Sequence, residues 1–139
     1  MFQIKKLLYV SSPSCIFKVN MDGSMRAVVS NIVLKECDED LPPNWRPPGF
    51  RGLAVTTNGM VYAAATGCRC LVTIAPNGSM KTLLKSERPW SPTGVALHGG
   101  DAFVLEWTNP SGGPADGWRP RVRKLTRNGK VTTLVEVGK

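Results

Sequence analysis

Two Trp-Arg-Pro segments carry the residue types with the greatest capacity for binding. They are Trp45-Arg46-Pro47 and Trp118-Arg119-Pro120. An indole ring stacks on sugars, nucleobases or peptide side chains, and a neighbouring guanidinium adds paired hydrogen bonds. The segments are therefore a candidate ligand-binding pair. The alternative, which needs no ligand, is that the indoles pin proline-rich loops onto the edge of the fold.

The sequence offers little for catalysis. Its one histidine, His98, precedes Gly99-Gly100 and is expected in a turn rather than as a general base. No nucleophile elbow, zinc-binding helix or phosphate loop is recognisable. The acidic run from Glu36 to Asp40 lacks the glycine and spacing of a calcium loop and is interpreted as a solvated loop. We therefore expect no catalytic residues and lean against an enzyme.

The four cysteines do not form a recognisable metal site. Cys68 and Cys70 are too close together for the usual zinc knuckle, and no second pair completes four ligands. Cys15 and Cys70 fall at the same position of a repeat described below, so we expect them to lie too far apart for a disulfide. The sequence predicts packing thiols, no bound metal and no cofactor.

Charge and hydropathy leave location undetermined. The chain has 139 residues and a formal charge of +8, but its basic residues are scattered, which favours solubility over a dedicated nucleic-acid face. Its apolar runs are too short to cross a bilayer. The N-terminal "MFQIKKLLYVSS" lacks the long hydrophobic core and cleavage site of a signal peptide.

One hairpin pattern occurs three times, as "IFKVNMDGSMRAVV", "LVTIAPNGSMKTLL" and "VRKLTRNGKVTTLV". Aligning Gly23, Gly78 and Gly129 brings the flanking apolar residues into the same register. Asp-Gly and Asn-Gly are typical of two-residue type I′ turns, in which both central residues have positive φ. We therefore predict three equivalent β-hairpins with positive φ at each of these glycines.

A second hairpin precedes the first in two of the copies. "GLAVTTNGMVYAAA" (52–65) aligns without a gap with "GVALHGGDAFVLEW" (94–107), and "KLLYVSS" (6–12) retains only its end. The period, from Gly52 to Gly94, is 42 residues. Four short strands in about 40–45 residues are typical of a β-propeller blade, whose innermost strand needs small residues at the crowded axis. A β-sandwich with similar hairpins is the alternative.

The stretch "GLAVTTNGMVYAAATGCRCLVTIAPNGSM" resembles an NHL-repeat blade and, more loosely, the gluconolactonase-type six-bladed propellers. The resemblance covers residues 6–30 and 48–136. The sequence departs from the NHL pattern where an Asp usually follows the second strand and an Arg opens the third. In the gluconolactonase-like families, side chains at the channel mouth hold a divalent cation such as calcium. The resemblance leaves Glu106 as the only carboxylate suited to that role.

We predict an all-β fold, a partial β-propeller of four-stranded antiparallel blades with about eleven strands and an open ring. An incomplete blade covers residues 1–30, and a long inter-blade loop covers 31–47. Complete blades follow at 48–86 and 91–137, the latter interrupted by a loop at 108–120. Because closed propellers need about four to eight blades, we expect the C-terminal part of a longer propeller, or a ring completed by a second copy of the chain.

The two long loops are expected to leave the same end of the blades, because a chain returns to its starting end after an even number of antiparallel strands. Long insertions on one end of a repeat scaffold are typical of a binding face. The expected function is a non-catalytic ligand- or protein-binding scaffold. The alternatives are a remnant of a metal-dependent hydrolase and an RNA-binding protein with a basic face. The candidate residues are Trp45, Arg46, Arg51, Glu106, Trp107, Trp118 and Arg119.

Overall fold

The computed structural model describes residues 8–32, 34, 48–108 and 117–138, and in them the chain is built from β-strands. These residues form eleven strands in three antiparallel sheets, together with one turn of 3-10 helix at Thr66–Cys68. The prediction of an all-β fold with eleven strands is confirmed. We call each sheet a blade.

Within each blade the strands follow one another in sequence and each pairs with the next. Within the described residues, blade 1 has three strands and no innermost one, whereas blades 2 and 3 have four. Blade 1 consists of β1 (Leu8–Ser11), β2 (Ile16–Val19) and β3 (Met25–Val29). Blade 2 consists of β4 (Phe50–Val55), β5 (Val61–Ala65), β6 (Cys70–Ile74) and β7 (Met80–Lys85). Blade 3 consists of β8 (Trp90–His98), β9 (Asp101–Thr108), β10 (Pro120–Leu125) and β11 (Val131–Glu136).

The strand connections lie at two opposite ends of the blades, because alternate strands run in opposite directions. We call one end the turn end. It carries the short hairpins at 20–24, 56–60, 75–79, 98–101 and 126–130. We call the other the loop end. It carries the described connections at 12–15, 66–69 and 86–89, together with the described borders of two longer connections, at 30–32, 48–49 and 117–119.

The repeated hairpins have the predicted glycine conformation. Gly23, Gly78 and Gly129 have φ of 86°, 87° and 91°. An L-residue with a side chain is strained in this region, which explains why the sequence places glycine there each time. The shared register of the three hairpins is thus a shared backbone conformation.

The predicted turn type is wrong. In the first hairpin the N–H of Gly23 donates to the carbonyl of Asn20 at 3.0 Å, and the N–H of Asn20 donates to the carbonyl of Ser24 at 2.8 Å. The loop therefore has three residues, a turn followed by one left-handed glycine. Asp22 has negative φ, since Asn31 and Arg69 are the only non-glycine residues with positive φ in the described part of the chain. Its carboxylate instead accepts a hydrogen bond from the Ser24 N–H at 2.9 Å. Such a loop needs only one left-handed residue.

Positive φ at both central residues occurs instead in the first hairpin of blade 3. His98 and Asp101 pair directly, and Gly99 and Gly100 between them have φ of 59° and 86°. Both residues of a type I′ turn need positive φ, and two glycines meet that demand without strain. His98 is exposed beside this turn, as its position in the sequence predicted.

Two apolar clusters join the three blades. One lies between blades 1 and 2 and includes Ile16, Phe50 and Val72. The other lies between blades 2 and 3 and includes Leu71 and Val104. Blade 2 is therefore covered on both faces, which explains why its middle strands read as continuous apolar runs rather than alternating ones.

The innermost strands of blades 2 and 3 approach so closely that no side chain fits between them. A Cβ atom added to Gly52 would lie 2.6 Å from the Cα of Gly94 and 2.8 Å from the carbonyl oxygen of Thr93. Both contacts are to backbone, which cannot turn aside as a side chain does. The sequence prediction that small residues line the inner edge holds here for a specific steric reason.

The outer faces of blades 1 and 3 carry exposed apolar side chains. On β9, Ala102 and Val104 are buried against blade 2, and the alternate residues Phe103, Leu105 and Trp107 face away. We call these three the open face of blade 3. On β1, Leu8 is 60% exposed and Val10 is 37% exposed. Both faces are thus built like the covered faces of blade 2, but no blade lies against them within residues 8–32, 34, 48–108 and 117–138.

The contact at Gly52 gives a matched pair of substitutions. Gly52→Ala should lower the free energy of unfolding by about 2 kcal/mol or more, because the new methyl group overlaps the backbone of blade 3. Gly94→Ala should change it by less than about 0.5 kcal/mol, since its Cβ would meet only Leu105, at 3.7 Å. Urea unfolding of both variants checks this. Equal effects would mean that the inner strands do not touch as described.

The open faces predict that the isolated chain associates. Apolar sheet faces without a neighbour are an association and aggregation liability. Light scattering over a range of concentrations should therefore show species larger than a monomer. A compact monomer that melts reversibly in one sharp transition would contradict the expectation and would show that the end blades are capped.

Candidate ligand-binding face

Hydrogen bonds to backbone carbonyls tie the loop-end segments of neighbouring blades together. The N–H of Gly49 donates to the carbonyl of Pro13 at 2.7 Å, and the N–H of Thr66 donates to the carbonyl of Gly49 at 3.1 Å. The hydroxyl of Thr66 donates to the carbonyl of Pro92 at 2.6 Å, which links blade 2 to blade 3. The loop end is therefore one connected surface.

Both long loops meet this surface where the described residues border them. The first re-enters the described chain at Pro48, whose carbonyl accepts a hydrogen bond from the Gly67 N–H at 3.0 Å. The second is bounded by Thr108 and Arg119, joined by a 3.0 Å hydrogen bond from the Thr108 N–H to the Arg119 carbonyl. The borders of the two loops thus lie at one end of the blades. Trp45 and Arg46 lie outside the described residues.

Three of the candidate residues lie together at the loop end of blade 3. Trp107 is 36% exposed at the end of β9, and Trp118 is 44% exposed just before β10. Arg119 directly follows Trp118, and Trp107 pairs with Pro120 across the sheet. We call Trp107, Trp118 and Arg119 the tryptophan corner. Arg51 is exposed at the loop end of β4, in blade 2, and is not part of it.

Arg119 is held from two sides. Its N–H donates to the hydroxyl of Thr108 at 3.0 Å, and its Nη1 donates to the carbonyl of Gly138 at 3.5 Å. A Cβ on Gly138 would come within 3.0 Å of Arg119 Cδ, so the guanidinium arm lies along the C-terminal backbone. The corner thus combines two exposed tryptophans with one arginine whose side chain is held in place.

Glu106, the remaining candidate, is not on the surface. Its side chain is completely buried. The carboxylate accepts a 2.6 Å hydrogen bond from Arg121 Nε and a further hydrogen bond from the Ser86 hydroxyl. Arg123 Nη1 lies 3.7 Å away. The carboxylate therefore serves an ion-pair network between blade 3 and the segment that connects it to blade 2.

Arg121 is the centre of this network. Its Nη2 donates to Glu87 at 3.2 Å, and its Cζ lies 4.0 Å from the centroid of the Trp90 ring, a cation–π contact. The pKa of the Glu87 carboxyl is lowered, first by a hydrogen bond from its own backbone N–H and then by the one from Arg121. The contribution of the Glu87 carboxylate to stability is therefore present at neutral pH and is lost as the pH falls through its lowered pKa.

The sequence reasoning missed this network, although one signal pointed to it. Arg121 occupies the repeat position of Cys15 and Cys70, and Cys70 is completely buried. A charged residue at a position that is buried elsewhere in a repeat implies a buried partner of opposite charge. Glu106 pairs with Arg121 across β9 and β10, so strand register supplies that partner.

The expectation of packing thiols is wrong for Cys68, which is disulfide-bonded. Cys68 lies on the 3-10 turn at the loop end, where strand register does not restrict which cysteine it can reach. The predicted lack of a bridge between Cys15 and Cys70 is confirmed. Hydrogen bonds from the Asn31 backbone and then from the Ser14 hydroxyl lower the pKa of the Cys15 thiol.

Two further observations concern a metal site and a membrane-spanning helix. Across residues 8–32, 34, 48–108 and 117–138, no three His, Cys, Asp or Glu side chains are grouped as metal ligands. The same residues contain no helix of the length and apolarity that a membrane span requires.

Solved structures define the class of fold. Over 94% of its length the chain matches 48% of a candidate gluconolactonase, with a TM-score of 0.57 and 15% identity. It also matches 53% of virginiamycin B lyase from Staphylococcus aureus over 96% of its own length, with a TM-score of 0.54 and 12% identity. A third match is a streptogramin B lyase, at a TM-score of 0.52 and 10% identity, with 91% of this chain and 50% of the lyase covered.

These likenesses and the three-blade architecture show a β-propeller fold. At such low identity they show the fold alone. The chain spans about half the length of the solved proteins that it matches. Neither the protein-family models nor the curated proteins give a match to this sequence.

The buried ion pairs predict a large effect from removing one charge. Glu106→Gln should lower the free energy of unfolding by about 3 kcal/mol, because Arg121 and Arg123 then lose their buried carboxylate and only the exposed Glu87 still pairs with Arg121. In the described part of the chain, Arg123 Nε and Nη1 already lack hydrogen-bond partners. Denaturant unfolding measures the loss.

Glu87→Gln is the matched control for this substitution. The Glu87 side chain is 67% exposed, so its loss should cost less than about 1 kcal/mol. Equal costs for the two substitutions would contradict a structural role that depends on burial of Glu106.

Proposed function

We propose that this chain is a non-catalytic binding scaffold that takes a protein or small-molecule ligand at the tryptophan corner. The observation that carries the proposal is the exposure of two indoles beside a positioned arginine, at the end of the blades where the long loops begin and end. Large aromatic side chains and arginine are the residues that contribute most to binding energy at interfaces.

The chemistry of the corner favours a ligand with a planar or apolar face and a hydrogen-bond acceptor. The indoles offer stacking surface, and the guanidinium of Arg119 has five N–H donors, of which one bond to Gly138 is made within the described residues. A carbohydrate ring or a peptide segment with an acidic or carbonyl acceptor has both features.

The hydrolase alternative makes a different demand on the chain. Some proteins of similar fold are lyases, and one is described as a candidate gluconolactonase. For this chain to use Glu106 as a metal ligand, the carboxylate would have to leave Arg121 and Ser86 and become exposed. The buried ion pairs therefore support the scaffold proposal over a metal-dependent one.

The exposed apolar faces of blades 1 and 3 are the surfaces where a partner could pack. We propose that further propeller blades or a second copy of the chain cover them. Trp107 belongs both to the open face of blade 3 and to the tryptophan corner, so a covering blade would form one wall of the ligand site. Arg51 and the other basic side chains leave RNA as an outcome of the test below rather than as the favoured ligand.

The test begins with a search for a ligand on an array of glycans and in a displayed peptide library, with a single-stranded RNA library in parallel. For the tightest binder found, Trp118→Ala combined with Arg119→Ala should weaken binding by about 2 kcal/mol or more, as aromatic and arginine anchors do. Titration calorimetry measures the affinity, and thermal melting of the same variant tests the fold.

Leu134→Ala combined with Lys130→Ala is the control, since both residues are exposed on blade 3 away from the corner. It should leave the affinity unchanged. If the corner variant loses thermal stability but keeps its affinity, the indoles are only loop anchors and the proposal fails. Selection of RNA alone would favour the nucleic-acid alternative.

A further inference from the structure

A cleft of about 370 Å³ opens at the turn end between blades 2 and 3. Blade 2 contributes one wall and blade 3 the other. The walls include Tyr62, Lys81 and Leu83 of blade 2, with Ala102, Leu125 and Arg127 of blade 3. The volume is within the range of small-molecule sites in proteins.

The floor of the cleft is apolar. Ala102 is 3% exposed and Leu125 is 6% exposed, and both belong to the cluster that joins the two blades. Tyr62 and Leu83 pack against the same cluster. A ligand that entered the cleft would therefore extend the interface between the blades with apolar surface of its own.

The rim of the cleft is cationic. Tyr62, Thr73 and Lys81 are paired in a row across blade 2, so the lysine lies on the same face as the tyrosine. Arg127 projects from the opposite wall, where its Nη2 donates to the carbonyl of Gly99 at 3.2 Å. Its guanidinium lies over Gly100, since a Cβ there would overlap it.

The positive charge on the rim is not balanced by a neighbouring carboxylate. Lys81 and Arg127 make no ion pair with any residue in the described ranges. Asp101, the acidic residue beside the cleft, accepts a hydrogen bond from the Arg127 backbone N–H at 3.2 Å and lies 3.6 Å from Lys124 Nζ. Its charge is thus shared with a lysine outside the cleft.

We propose that this cleft binds a small amphipathic anion, an apolar ring system that carries one carboxylate. The rings would rest on Ala102, Leu83 and Leu125, and the carboxylate would lie between Lys81 and Arg127. Because the two cations come from different blades, such a ligand would bridge them. The site is at the opposite end of the blades from the tryptophan corner and does not depend on the function proposed for that corner.

The test uses 2-naphthoate as the probe and 2-naphthalenemethanol as its uncharged analogue, with the full chain in titration calorimetry. We expect saturable binding of 2-naphthoate, which weakens as sodium chloride is raised because the partner charges are exposed. The uncharged analogue should bind at least several-fold more weakly. Absence of saturable 2-naphthoate binding, or equal binding of the two compounds, would overturn the proposal.

Lys81→Gln and Lys130→Gln separate the cleft from the general charge of the protein. Both lysines are exposed on β-hairpins at the turn end, and each substitution removes one positive charge, but only Lys81 lines the cleft. Lys81→Gln should weaken 2-naphthoate binding roughly fivefold, as expected for one exposed charge pair, whereas Lys130→Gln should leave it unchanged. Equal effects would show attraction to net charge rather than a site. Trp118→Ala should have no effect, which keeps this test separate from that of the tryptophan corner.

Discussion

The close approach of the innermost strands of blades 2 and 3 is the constraint on which the rest of the arrangement depends. At Gly52 the two backbones touch, and no side chain separates them. Further from the axis, Leu71, Leu84 and Leu125 fill a wider gap. Two sheets that touch at their innermost strands and are separated at their outer strands must diverge. The increase in side-chain size from the inner to the outer strands therefore determines the angle between the blades. The cleft at the turn end lies where this gap widens beyond what the side chains fill.

At the loop end, charged side chains fill the gap between blades 2 and 3. Glu106 would be costly to bury alone, but Arg121, Arg123 and Ser86 surround it, and Glu87 and Trp90 complete the contacts of Arg121. Ser86 and Glu87 belong to the connection between blades, whereas Glu106 and the arginines belong to blade 3. The network therefore fixes the connection against the blade that follows it. Glu106 and Arg121 are close in sequence to Trp107 and Trp118, so the network lies near the tryptophan corner.

The strands and their grouping into blades could be predicted from the sequence because each hairpin repeats the same local residue pattern. A glycine at a fixed place, with apolar residues at fixed distances from it, is visible in every copy. The turn type was mistaken because Asp-Gly and Asn-Gly fit both a two-residue and a three-residue loop, and side-chain hydrogen bonds such as that of Asp22 decide between them. The candidate site was harder to predict from the sequence, because its residues do not recur in each blade. Trp118 and Arg119 stood out by type, but the burial of Glu106 depends on cross-strand pairing that no local pattern records.

The equivalence between the open face of blade 3 and the covered face of blade 2 has a consequence for how such chains can change in length. Each blade presents the next one with side chains at the same positions on its middle strands. A duplicated 42-residue unit would therefore already have both of the faces that pack against neighbouring blades. It could be added to the array without a new interface. Lengthening or shortening the array is then a matter of copying or losing whole units. What must be adapted afterwards is only the contact specific to one junction, the buried Glu106 and the arginines that neutralise it.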